Sequence, residues 1–567
     1  MAIGNPPSPP PDERPDALTI GDVIGYLLPR VRQGDPGVPR WPPDVFAVAA
    51  YVLHKSGAYC EVLEHWPPAA GDLPDPIAQW SERIGGIGKA WRLAWASGKS
   101  PPDEVAHWWE KLLGACQRYL SDLRADKDLR ECLAELMAAA DAASVGLGIP
   151  SGEITVEGAG GPTSEPDATE AAFQNQGDDL LFVDPDDPNP VGSTLCDEIH
   201  RSRLRVLPKL HTPQSGLTIR SFSHHLAMVD CNEVVPEWYL IPTSQSELSM
   251  NLLLVPWPEV VQPKHFYPSK PMPEEKMPPE FHYFTYKGAD DAAGDEALHQ
   301  RVSAVYRAAK EAMERVDAVI LPELALTPPQ HEKLRVEMER ERVMLICGEG
   351  TASEPGVRPG DNGACVDVPV AGKSVPLRQG KHHRWRLDKP QIIQYGLGSR
   401  LYPEWFWWEH VALQRRFMFL AMRPWLVMSV LICEDLARPD PVGDLLRAVG
   451  PNLVVALLMD GPQLKERWSA RYATVLADDP GCSVLSLTSI GMAELSRPPS
   501  VSPRTRVVAL WKDSQSGAVE IELPAGHQGI VLTLTVKYMT EWSADGRSDR
   551  GTTGCPILAG VRPIPSP

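Results

Sequence analysis

WLVMSVLICEDLAR, residues 425–438, is an apolar run that ends abruptly at Cys433-Glu434-Asp435. A strand covered on both faces reads as continuous Val, Leu, Ile and Met, without polar alternation, and this run has a strand's length. Similar runs recur on either side: NLLLVP (251–256), AVILPEL (318–324), VMLICGE (343–349), LVVALLMD (453–460) and CSVLSLTS (482–489). Among them lie HQRVSAVYRAAKEAMERV (299–316) and QLKERWSARYATVLA (463–477), whose apolar residues fall three and four apart. Apolar strands alternating with amphipathic helices predict an α/β architecture, a sheet covered by helices.

Upstream the texture differs. FAVAAYVLHKSGAYCEVL (46–63), PDEVAHWWEKLLGACQRYLSDL (102–123) and DLRECLAELMAAADAAS (128–144) have helical spacing throughout, so residues 1–148 are expected to form a mainly α-helical domain. Its tryptophans (Trp66, Trp80, Trp91, Trp95, Trp108, Trp109) are better suited to core packing than to a binding face, because aromatics bury so much area. From Ser151 to Pro190 there are ten carboxylates and no Lys or Arg. Such a segment buries too little apolar surface to offset its ordering entropy, which predicts a disordered acidic linker over 149–195. A connecting region (196–248), the α/β domain (249–545) and a C-terminal tail (546–567) complete the expected layout. At 567 residues the chain exceeds what one core supports, about 250–300 residues, so several domains are required.

A net charge of −19 argues against a protein that coats nucleic acid, which needs clustered cations. The start, MAIGNPPSPPPDERPD, lacks a basic region followed by an apolar one, and no long uncharged apolar stretch exists to span a bilayer. Ten cysteines scattered over a large chain read as reduced thiols. A soluble cytoplasmic protein with no membrane association is expected. No C-x-x-C pair occurs and His382-His383 has no second cluster at ligand spacing, so no metal is expected.

Three features carry candidate chemistry. In VDAVILPELALTP (316–328), Glu323 stands at the end of a buried strand, where partial desolvation raises a carboxyl toward a useful base; alone, it reads rather as a carboxylate accepting backbone hydrogen bonds at a loop or helix start. RQGKHHRWRLDKPQI (378–392) is a basic loop from which a fixed ammonium can hold an oxyanion, although any of its five Lys and Arg residues would serve. Cys433 sits at a sharp strand-to-helix corner, near backbone N–H groups that activate a thiol and bind an oxyanion. Cys347, inside its strand, reads as core, and Ala477-Asp478-Asp479 reads as a helix end before Pro480.

In order and spacing these features resemble the nitrilase superfamily of carbon–nitrogen hydrolases. The resemblance also includes NLLLVPWP (251–258), GPNLVVALLMDG (450–461) and RWSARYATVLADDPGCSVLSLTSIG (467–491). It implies a four-layer α-β-β-α sandwich and a triad in which Glu323 is the base, Lys381 stabilises the oxyanion and Cys433 is the nucleophile. The backbone N–H of Glu434 would share the oxyanion, Glu409 in WFWWEHV (405–411) would be a second glutamate, and Trp405, Trp407, Trp408 and Arg438 would line the pocket. Implied further are hydrolysis of a small-molecule amide in preference to a nitrile, no cofactor, and a homo-oligomer. The layout also resembles nitrilase-like domains that accompany bacterial reverse transcriptases and other anti-phage defence proteins. That makes such a protein a candidate partner, with the domain silent or active only in the assembly. A glutamine-dependent synthetase unit would need an ATP-binding loop, and no G-x-x-x-x-G-K-S/T is present.

Overall fold

The computed structural model describes residues 18–65, 75–150, 168–182, 193–230, 233–241, 248–288, 292–370, 372–496 and 505–566. They divide into two compact units. One holds residues 1–240, 444–451 and 538–553; the other holds 241–443, 452–537 and 554–567.

The first unit is helical at its core. Lys127–Ala143 packs against Pro42–Ser56, Pro76–Ala96 and Asp103–Gly114, burying Leu129, Leu133, Leu136, Met137 and Ala140. Asp126 starts it by accepting from the Leu129 N–H at 3.0 Å. Gly88 lets Pro76–Ala96 approach closely, since a Cβ there would stand 2.7 Å from the Ala142 carbonyl carbon. Trp80, Trp91, Trp108 and Trp109 are buried, as core packing predicts, while Trp66 lies outside the described residues.

Two expectations need correction. Within the supposed disordered linker, Ala168–Leu181 is a helix, because Phe173 supplies an apolar anchor 4.7 Å from the Trp41 ring and 5.4 Å from that of Trp95. The remainder of the linker, 151–167 and 183–192, lies outside the described residues. The supposed tail contains the strand Thr553–Pro565, which pairs beside His527–Met539 at a sheet edge. An edge strand tolerates its prolines because the outward positions need no N–H partner.

The second unit contains two mixed sheets. One runs Lys373–Gly380, Asp361–Val370, Met344–Thr351, Ala318–Ile320, Ser249–Leu254, His527–Met539 and Thr553–Pro565. The other runs Val519–Glu522, Val507–Lys512, Ser483–Thr488, Leu453–Leu458, Leu426–Ile432 and Arg416–Arg423. In each, the predicted apolar runs form the parallel centre and antiparallel strands flank it. Helices Ala292–Met313 and Pro328–Glu341 cover the first sheet, and Trp468–Asp478 and Ile490–Leu495 cover the second. The sheets meet at Gln379, whose amide donates to the Val430 carbonyl at 2.9 Å and accepts from the Met418 N–H at 3.0 Å. The order of layers is therefore helix, sheet, sheet, helix, the expected α-β-β-α sandwich. A smaller sheet, Arg386–Leu387, Phe406–Glu409, Phe281–Tyr286 and Phe266–Ser269, takes two of its strands from the segment after Trp257. Among the described residues no helix is long and apolar enough to cross a membrane.

In the first unit, Asp141 is fully buried and accepts from the N–H groups of His225 (2.8 Å), His224 (2.9 Å) and Leu226 (3.0 Å) and from the Arg547 guanidinium (3.0 Å). Burial alone would raise its pKa, but Arg547, with the neighbouring histidines and N–H groups, outweighs it and holds Asp141 at about 2. A depressed carboxyl stabilises the fold above its unfolded pKa and loses that contribution as pH falls toward 2. Asp141→Asn is expected to cost about 3 kcal/mol near pH 7 and to flatten the fall in stability between pH 4 and 2, both measured by urea denaturation across pH.

Candidate active site

The ends of strands from all three sheets of the second unit deliver the candidate residues. Glu323 follows Ala318–Ile320, Lys381 follows Lys373–Gly380, Cys433 follows Leu426–Ile432 and Glu409 ends Phe406–Glu409. Lys381 Nζ donates to Glu323 Oε1 and to Glu409 Oε2, both at 2.7 Å. Asn362 Nδ2 bridges the two carboxylates from another side, 2.8 Å from Glu323 Oε1 and 2.8 Å from Glu409 Oε1. The Trp385 N–H reaches Glu409 Oε2 at 3.2 Å. Lys381 has no solvent exposure and Glu323, Glu409 and Cys433 only 3% each, so these charges interact with little water to screen them.

The thiol's placement is enforced by backbone. Cys433 has φ of +46°, a left-handed conformation that costs a non-glycine residue about 1–3 kcal/mol and turns the chain sharply out of its strand. Leu324, directly after Glu323, has φ of +51°. Asp435, buried two residues after the thiol, accepts from the N–H groups of His382 (3.1 Å) and His383 (2.9 Å), tying the lysine loop to the nucleophile corner. On the Glu323 side, Gly348 is essential: a Cβ there would lie 2.4 Å from Glu323 Cα and 2.5 Å from the Leu324 nitrogen.

Electrostatics separate the protonation states. Burial pushes Glu323 above the ordinary carboxylate range, Lys381 opposes that rise, and Glu409 adds to it. Burial also works against the Lys381 charge, yet Glu323, Glu409 and Cys433 together lift its pKa well above the usual value, so it stays an ammonium. Burial, with the Glu323 charge, raises the Cys433 thiol well above its usual value, against the pull of Lys381 and a Met459 N–H. The resting pocket therefore holds a neutral thiol beside a fixed cation. Glu323 Oε2 is buried without a hydrogen-bond partner among the described residues, which leaves it free to take a proton.

The structure does not bring every candidate to this cluster. Along Phe406–Glu409, side chains alternate between faces, so Trp407 joins Glu409 inside while Trp408 turns away and packs on Phe281 at 4.8 Å. Trp405 stacks on His282 at 3.9 Å and is 39% exposed, and Arg438 pairs with Glu434 at the surface. These three are therefore corrected as pocket residues. The wall contains instead an apolar cluster of Phe266, Phe284, Trp385, Tyr395, Trp407 and Met459. Tyr395 lies near enough to Cys433 to feel its charge and donates to Asp460 at 3.0 Å, where Arg467 (2.7 Å) and Trp468 (2.8 Å) also converge. Asn362, Asp435 and Tyr395 escape sequence reading, because nothing in DNGACVDV, CED or QIIQYG announces a partner far away in the chain. A cavity of about 490 Å³ is bounded by Leu324, Trp257, Tyr286, Asp295 and Thr327; neither Cys433 nor Lys381 lines it.

No protein-family profile matches the sequence, and no curated protein matches it. Among solved structures, the matches include members of the superfamily that the motifs resemble. Nit3 of Saccharomyces cerevisiae, a member of branch 10 of the nitrilase superfamily, is 14% identical over 52% of this chain and 93% of that one, with a TM-score of 0.30. A mutant of the Nesterenkonia AN1 amidase from the nitrilase superfamily is 13% identical over 56% of this chain and 92% of that one, with a TM-score of 0.26. Another mutant of that amidase, with acrylamide added at the active site cysteine, is 11% identical over 50% of this chain and 92% of its own, with a TM-score of 0.29.

Two outcomes follow from the geometry. The pH midpoint for alkylation of Cys433 by iodoacetamide, followed by mass spectrometry, should lie above the ordinary thiol value of about 8.5. Glu323→Gln should lower it, by removing a negative neighbour, and Lys381→Met should raise it further. Gly348→Ala should cost about 1–3 kcal/mol, seen as a reduced Tm, because the backbone of Glu323 cannot yield to a methyl group.

Proposed function

We propose that this protein hydrolyses the carbon–nitrogen bond of a small non-peptide amide through a thioester on Cys433. The observation that carries this reading is the buried Glu323–Lys381–Glu409 cluster joined to a thiol on a left-handed corner. Glu323 takes the thiol proton as Sγ attacks the carbonyl carbon, so a thiolate need not preexist. Lys381 and the Glu434 N–H stabilise the oxyanion, a task suited to a cation that two carboxylates keep protonated. As the C–N bond breaks, Glu323 gives its proton to the leaving amine. Water, deprotonated by Glu323, then attacks the thioester carbon, releasing a carboxylic acid and restoring the thiol. Glu409 and Asn362 position the base and the ammonium.

Release of ammonia from a panel of short aliphatic amides tests the proposal. Cys433→Ala should reduce turnover on the order of 10³-fold or more, while Glu409→Gln should retain a fraction of it. Because Glu323 must be ionised and burial raises its pKa, kcat/KM should fall as pH drops, with an acid limb above the ordinary glutamate range. Amide turnover undiminished in Cys433→Ala would refute the reading.

A further inference from the structure

On the opposite face of the first sheet, beneath helix Pro328–Glu341, lies a second cluster of reactive side chains. His331 places Nδ1 2.7 Å from Glu349 Oε2 and Nε2 2.7 Å from Asp367 Oδ2. Cys347 and Cys365 face each other directly across paired strands, and their thiols hydrogen-bond. Donor atoms of His331, Glu349 and Cys365 all lie within 4.8 Å of one another, and His331 and Cys365 are buried. Asp367, 2% exposed, keeps Oδ1 buried without a hydrogen-bond partner. Arg378 flanks the cluster, 3.3 Å from Glu349 and 2.6 Å from Asp361. A buried ion network that only fastens the helix to the sheet would need neither thiol.

We propose that His331, Glu349 and Cys365 form a binding site for a thiophilic divalent cation of the zinc class. One imidazole nitrogen, one carboxylate oxygen and one sulfur make a mixed N, O and S set, which suits zinc and not magnesium or calcium. The second imidazole nitrogen remains paired with a carboxylate, as happens where histidine ligates a metal. Charge also balances: the cation displaces the imidazolium proton and the Cys365 thiol proton, so two positive charges leave and two arrive. The role is structural. Gly348, between Cys347 and Glu349, is the residue on which the Glu323 backbone rests, so a cation pinning this strand also holds the seat of the candidate base.

The test is metal analysis of the full chain purified from zinc-supplemented culture. One zinc per chain is expected, and cobalt substitution should give thiolate-to-cobalt charge-transfer absorption in the near ultraviolet. Cys365→Ser and His331→Ala should lose both signals, whereas Cys433→Ala should keep them, separating this site from the nucleophile. Should either variant fail to fold, Asp367→Asn provides the measurement, with zinc affinity lowered 10- to 100-fold. Absence of zinc together with absence of a cobalt band, or equal zinc content in wild type and Cys365→Ser, would overturn the proposal whatever the amide assay shows.

Discussion

A lysine ammonium with no access to water, held between two carboxylates, is the constraint on which the second unit is organised. Removing such ions from water costs several kcal/mol each, and their mutual attraction offsets that only when the geometry is close and further hydrogen bonds hold the partners. Lys381 meets the condition at 2.7 Å on both sides, with Asn362 bridging the same carboxylates. Three strands from different parts of the chain must therefore end at one point. The two-sheet sandwich provides such a point, because Gln379 fixes one sheet against the other immediately before Lys381.

The same low dielectric gives the cluster its chemistry. Burial disfavours charge on Glu323 and Cys433 and would do so on Lys381, but Lys381 alone has two opposite charges in contact. The result is one permanent cation beside two groups whose proton can move between them. Strain adds direction: positive φ at both Cys433 and Leu324 turns the chain at the two strand ends where thiol and carboxylate emerge.

The segment between Trp257 and the helix at Ala292 shows how an irregular sequence becomes a wall. Its Phe266, Phe284 and Tyr286 gather around Trp385 and Tyr395 and close the cluster on one side. Proline-rich and lacking long periodicity, it gives no pattern from which a small sheet could be read, because these strands are stabilised by aromatic contacts across large sequence distances. Trp408, directly before Glu409, faces away from the cluster while Trp407 faces inward with Glu409, because the alternation of a strand sends neighbours to opposite faces.

By itself the sequence determined the central parallel strands of both sheets, one covering helix on each, and Glu323, Lys381 and Cys433 as candidates, the lysine being singled out by family resemblance. Those features are local: an uninterrupted apolar run, a period near 3.6, or a reactive side chain at an abrupt polar boundary. Tertiary structure alone decided that Asn362, Asp435 and Tyr395 belong with them, that Thr553–Pro565 is a sheet edge, and that two cysteines, a histidine and a glutamate meet on the other face of the same sheet. The physical reason is that hydrogen-bond partners and burial are properties of distance in space, and a carboxylate acquires its pKa from neighbours that the chain brings home from far away.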